Sequence, residues 1–191
     1  FQSLDYLLAI GTTLGGPNTS LRLFSSLSPK LPAAAVIVQE ISPKILPAFV
    51  KKFDEYVPWK VEAARDGAIL EQGVCYISSY ENTITFRVNS NREICLRVDA
   101  ASDKPLDALF ASAAEIFEHH AIGLLLTGIG DDGTEGFAGI KKKSGVTIAQ
   151  EVETCVYPNL IQCAIERGVV DLVVNENELP ATIAALMENA I

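Results

Sequence analysis

Short apolar runs recur along the chain, each closed by a glycine or proline turn and each followed by a stretch of helical length. Tyr6-Leu7-Leu8-Ala9-Ile10 stops at Gly11 and leads into a Pro17-started stretch through Leu27. Ala33 to Gln39 leads in the same way into a Pro43-started stretch through about Tyr56. Apolar runs without polar alternation fit strands buried on both faces, and residues 121–127, 146–150 and 169–174 extend the series. Helical segments are predicted at about 133–143 and 159–167, with a last helix from about Glu176. Strands alternating with helices predict a doubly wound α/β fold, its mostly parallel sheet covered by helices on both faces.

Between residues 61 and 98 the texture changes. Val61 to Ala64, Val74 to Ser78, Thr83 to Val88 and Ile94 to Val98 are short, alternating, and separated by Asp66-Gly67, Gln72-Gly73 and Asn89-Ser90-Asn91. That pattern predicts hairpins inserted as an antiparallel extension. A block this small has one apolar face at most, so it is expected to pack on the main sheet within a single domain spanning 1–191.

Composition narrows the classes. With 49% hydrophobic and 20% charged residues the chain is a globular domain, not a disordered one. It has no uncharged apolar run long enough to span a bilayer, and its first residues, Phe1-Gln2-Ser3-Leu4-Asp5, lack a basic leader, so the cytoplasm is the expected compartment, without membrane insertion. A net charge of −9 would repel nucleic acid, and Lys141-Lys142-Lys143 is better read as a solvated helix face. Cys75, Cys95, Cys155 and Cys163 form no C-x-x-C pair and are expected to be reduced core thiols. His119 and His120 lack the spacing of a zinc site, and neither a metal nor another cofactor is expected.

In an open parallel sheet, chemistry gathers beyond the carboxyl ends of the strands. The first such turn, Gly11-Thr12-Thr13-Leu14-Gly15, has the spacing of a nucleophile elbow with Thr13 at its centre. Threonine is an uncommon internal nucleophile, and the same glycines also serve tight packing. His119 and His120 precede a strand, which puts them roughly 25 Å from Thr13 at the amino edge, where they suit a helix C-terminus. The third turn, Gly128-Ile129-Gly130-Asp131-Asp132-Gly133, matches G-x-G-x-x-G, with Glu151 eighteen residues beyond Gly133. Two aspartates there would repel a pyrophosphate. An acid in this place serves either to orient a catalytic base or to cap a helix.

Taken together, Gly11-x-Thr13-x-Gly15-Gly16, the turn after Gln39, Asp66-Gly67 before Tyr76-Ile77, and Leu126-Thr127-Gly128-Ile129-Gly130-Asp131-Asp132-Gly133 followed by Ala149-Gln150 resemble the catalytic domain of the chemotaxis protein-glutamate methylesterase (CheB) family over nearly the whole chain. The resemblance implies hydrolysis of γ-glutamyl methyl esters, and in some members deamidation of glutamines, on chemoreceptor cytoplasmic helices. It also implies an N-terminal receiver domain, phosphorylated to uncover the site; this chain is expected to begin too close to its first strand to include one.

The carry-over is uneven. Thr13 stands where the family has its serine nucleophile, and Glu40 where it has its histidine base. Asp132 matches the catalytic aspartate, while Leu14, Ile129 and Gly130 fall in the oxyanion and substrate cleft. Lys104-Pro105-Leu106-Asp107 is only weakly like the family's R-P-S-x-D, and Asn159-Leu160-Ile161 replaces G-M-P. A carboxylate is a weaker proton acceptor than imidazole by roughly 2 pKa units, and Glu40 facing Asp132 would set two anions in one cleft, with one forced to protonate. The leading expectation is therefore a methylesterase-family domain with degraded hydrolysis, retained for binding a chemoreceptor or another signalling partner. The alternatives are a working hydrolase with a variant Thr/Glu/Asp site and, last, a nucleotide-binding domain.

Overall fold

The computed structural model describes residues 4–188. Its strands are β1 (Tyr6–Thr12), β2 (Ala33–Gln39), β3 (Lys60–Ala63), β4 (Val74–Ser79), β5 (Asn82–Val88), β6 (Ile94–Ala100), β7 (Ala121–Leu125), β8 (Val146–Gln150) and β9 (Leu172–Val174). Its helices are α1 (Gly16–Ser26), α2 (Leu46–Tyr56), α3 (Pro105–Phe117), α4 (Thr134–Lys142), α5 (Asn159–Glu166) and α6 (Leu179–Glu188).

Seven strands form one sheet in the order β3-β4-β2-β1-β7-β8-β9, with every pairing parallel. Side chains alternate across the sheet and feed two separate cores. Leu8, Ile10, Ala35 and Ile37 pack with Phe24, Phe53 and Ile183 of α1, α2 and α6. Leu7, Ala9, Val36 and Val38 pack with Phe110, Phe137 and Leu160 of α3, α4 and α5. This is the expected doubly wound arrangement.

Two local expectations change. The segments at 60–63 and 74–79 are not hairpin strands but extend the parallel sheet, β4 beside β2 and β3 at the edge. Among the described strands β5 and β6 form the antiparallel pair, which packs on α3 through Phe86 against Phe117 and through a 2.8 Å hydrogen bond from the Phe86 amide to Ser112 Oγ. The second difference is α3 itself, which the apolar pattern did not separate from its surroundings. Its signals are Pro105 at the first turn, Asp107 beside it, and a run rich in alanine and leucine.

The polar features predicted as structural behave as such. His119 and His120 lie between α3 and β7, with the His120 ring packed edge-on to Tyr6 at the amino end of β1. In the lysine run, Lys141 pairs with Asp171 and Lys143 with Glu115. Burial pushes the Cys75 thiol well above its ordinary pKa and the Cys155 thiol up to about 12. Neither should react with iodoacetamide at pH 8 in the time a free thiol takes; rapid alkylation of Cys155, read by mass spectrometry, would contradict this.

Asp171 ties β9 to β8 by accepting from the Thr147 amide at 2.9 Å and the Thr147 hydroxyl at 3.1 Å. Burial raises the Asp171 pKa, but Lys141 and these donors outweigh burial and hold it below the usual aspartate value. The stabilisation is complete above the unfolded value of roughly 4 and is lost as the pH falls through the lower folded value. Asp171→Asn is expected to cost about 1 kcal/mol at pH 7 in urea unfolding and to flatten the acid limb of stability. An unchanged acid limb would contradict that role.

Candidate functional site

The sheet fixes where a site can form. From β1 the chain winds first to β2 and later, from the opposite side, to β7, so strand order reverses between β1 and β7. A crevice opens at such a reversal beyond the carboxyl ends of the strands. The first turn, after β1, and the third, after β7, therefore meet there.

They meet closely. The Thr13 amide donates to Thr127 O at 3.3 Å, and Thr12 Oγ1 also donates to Thr127 O. Gly128 has no side chain because none fits: a Cβ there would overlap the Thr13 hydroxyl and lie 2.8 Å from Leu160 Cδ2. Gly15 starts α1 in the left-handed region, φ 80°, with its α-carbon face against Thr127 and Val156.

Thr13 is buried, and its hydroxyl is already engaged. Oγ1 accepts from the Ile129 amide at 2.7 Å and donates to Ile129 O at 3.3 Å. Both of these bonds go to the third turn and neither to Glu40. Glu40 is exposed on the wall of a cleft of about 420 Å³ that it shares with Leu14, Ile41, Ser79 and Tyr80. Gln39, just before it, is fully buried. The structure thus bonds Thr13 to Ile129 at the crevice and places Glu40 on the wall of a cleft that Leu14 also lines, without a hydrogen bond to Thr13 or Asp132.

Asp132 is 3% exposed and accepts three hydrogen bonds. Two come from the first turn of α3: Leu106 N to Oδ2 at 2.8 Å and Asp107 N to Oδ1 at 2.9 Å. The third comes from the Tyr80 hydroxyl, 2.9 Å from Oδ2. Burial and then the Asp132 charge push the Tyr80 phenol well above its ordinary pKa, so it stays protonated and donates. A phenol thus supplies Asp132 with its side-chain donor. Asp131 turns outward to Lys104, whose hydrogen bond holds it below the usual aspartate range.

Sequence reasoning missed Tyr80. It follows β4 in an ordinary loop, and only folding brings it to a residue 52 positions away. It also left Asn159 as a mere departure from pattern, whereas its Oδ1 accepts from the Gly130 amide at 2.8 Å. The crevice is rimmed by exposed Leu14, Ile129, Val156 and Tyr157, an apolar surface of the kind that receives a partner. A larger cavity of about 700 Å³, beside Leu4, Leu70 and Ile94, lies toward the amino ends of β1 and β4 and gathers no catalytic set. Among the described residues no cluster of His, Cys, Asp and Glu could hold a metal ion, and no helix is long and apolar enough to cross a membrane.

Comparison with known proteins points to one family. A protein-glutamate methylesterase/protein-glutamine glutaminase of Pyrococcus horikoshii is 31% identical over 95% of this chain and 50% of its own length. One of Moorella thermoacetica is 31% identical over 96% of this chain and 45% of its own. The chain thus spans about half the length of these curated relatives. The crystal structure of the Thermotoga maritima CheB methylesterase catalytic domain superposes with a TM-score of 0.89 at 29% identity, covering 95% of this chain and 98% of that one. The CheB methylesterase family model matches residues 8–183, from the third residue of β1 into α6, and on that match the chain belongs to the CheB methylesterase family.

Proposed function

We propose that this domain binds chemoreceptor cytoplasmic segments at the crevice between β1 and β7 while hydrolysing γ-glutamyl methyl esters weakly or not at all. The observation that carries the reading is the pairing of Thr13 and Asp132 with groups other than a base. The Thr13 hydroxyl is bonded to Ile129, and Asp132 takes its side-chain donor from Tyr80. A triad needs a base that accepts from the nucleophile and is oriented by the acid. Glu40 has neither connection here, and as a carboxylate it cannot donate an N–H to Asp132.

The fold supports retention of binding. Both cores are filled, the apolar rim is presented on rigid strand-end turns, and nothing in the scaffold is lost with the two catalytic groups. Chemoreceptor helices are the partner proposed, together with a phosphorylatable receiver domain in the native protein; the whole domain, residues 1–191, acts as one unit in the cytoplasm. Titration of the chain into a methylated chemoreceptor cytoplasmic fragment tests the reading. Saturable binding without methanol release is expected, and either absent binding or sustained methanol release would overturn it.

A further inference from the structure

The two successive amides of the third turn are both occupied by oxygen atoms of this chain. Ile129 N donates to Thr13 Oγ1 at 2.7 Å and Gly130 N donates to Asn159 Oδ1 at 2.8 Å. Backbone amides held at a sheet edge in this way are the groups that stabilise a developing oxyanion. Here each acceptor sits where a ligand oxygen would otherwise bond. We propose that Asn159 is a built-in competitor for the Gly130 amide, a positioning residue that keeps this seat filled whatever stands at positions 13 and 40. The inference rests on the functional reading above and adds to it that these amides face the substrate's ester carbonyl.

Asn159 is held in place from both sides. It is the first residue of α5, preceded by Pro158, whose ring fixes the backbone at φ −82°. Tyr157 O accepts from Gly128 N at 2.8 Å, and Leu160 N donates to Gly128 O at 3.0 Å. The backbone flanking Asn159 is therefore stitched to the turn whose next amides its side chain covers. Each acceptor yields its amide by side-chain rotation alone, Thr13 from a buried place and Asn159 from an exposed one on a backbone that stays fixed. Asn159 faces solvent, so it competes for the seat without sealing it.

The test uses a background in which Thr13→Ser, Glu40→His and Tyr80→Ala supply a nucleophile and base. A fluorophosphonate probe reads the seat without requiring the natural substrate. The hydroxyl at position 13 attacks phosphorus, the P–F bond breaks, fluoride leaves with its electron pair, and the proton passes to the imidazole introduced at position 40. Adding Asn159→Gly is expected to speed labelling about tenfold, the effect of removing one competing hydrogen bond. Asn159→Asp keeps the acceptor and should give no gain. In the otherwise natural chain, Asn159→Gly should also speed hydrogen exchange of the Gly130 amide about tenfold while the Leu160 amide stays within about twofold.

Labelling within about twofold with and without Asn159→Gly, detectable or not, would overturn the proposal, as would an unchanged Gly130 exchange rate. Ester hydrolysis by the natural chain would instead overturn the functional reading, so the two failures are distinguishable.

Discussion

Asp132→Ala lowers the unfolding free energy by about 3–5 kcal/mol in urea denaturation, a loss comparable with the entire margin of a marginally stable domain. The buried carboxylate caps α3 by accepting from the Leu106 and Asp107 amides, and it also accepts from Tyr80. Removing it leaves the two capping amides and the Tyr80 hydroxyl without their acceptor, at about 1–3 kcal/mol for each that stays buried. The arrangement is reciprocal, because Asp107 Oδ1 accepts from Gly136 N at 2.8 Å in the first turn of α4. Burial raises the Asp107 pKa, an effect that the Gly136 amide opposes. Each helix start is thus capped by an acid from the other segment, and Phe110 packs against Phe137 at 4.8 Å between them. Asp132→Asn retains one acceptor oxygen and should cost about half as much. An Asp132→Ala loss below about 1 kcal/mol would contradict the capping role. Because the residue supports the fold, loss of function in Asp132→Ala alone would not identify a catalytic acid.

Thr13→Ser/Glu40→His/Tyr80→Ala gains methylesterase activity of at least about 10²-fold over the natural chain. Serine removes the β-methyl that crowds attack, histidine supplies the acceptor, and alanine clears the phenol from Asp132 Oδ2 so that the imidazole can be oriented. Nucleophile and base act as a unit, and losing them costs up to about 10⁶ in kcat in a serine hydrolase, so recovering a modest part of that factor is a large effect. The Tyr80 change is essential to the expectation. Thr13→Ser/Glu40→His alone should stay within about tenfold of the natural chain, because its imidazole finds the acid already served. Equal gains in the double and triple variants would remove Tyr80 from the account.

Much of the sheet was legible because a strand buried on both faces has to be continuously apolar. The runs at 6–10 and 33–38 lie in such strands. The edge was harder. Val61 to Ala64 and Val74 to Ser78 alternate as a hairpin would, and period-two alternation records which face is buried, not which way the neighbouring strand runs. The helix at 105–117 carried its own signals, but Lys104-Pro105-Leu106-Asp107 was weighed as the remnant of a motif. At the site, Thr13 and Asp132 stood out because they lie in glycine-rich turns, and Glu40 because it stands where the resembled family has its histidine. Tyr80 and Asn159 did not, since each acts through one hydrogen bond across a long sequence separation, 52 residues for Tyr80 and 29 for Asn159. Local pattern has no access to such contacts.

The most direct measurement of the central claim is methanol release from a methylated chemoreceptor fragment by the natural chain, beside Thr13→Ala at equal thermal stability. The account predicts that both release methanol no faster than buffer. Steady release by the natural chain that disappears in Thr13→Ala would contradict it, and would make Thr13 a working nucleophile.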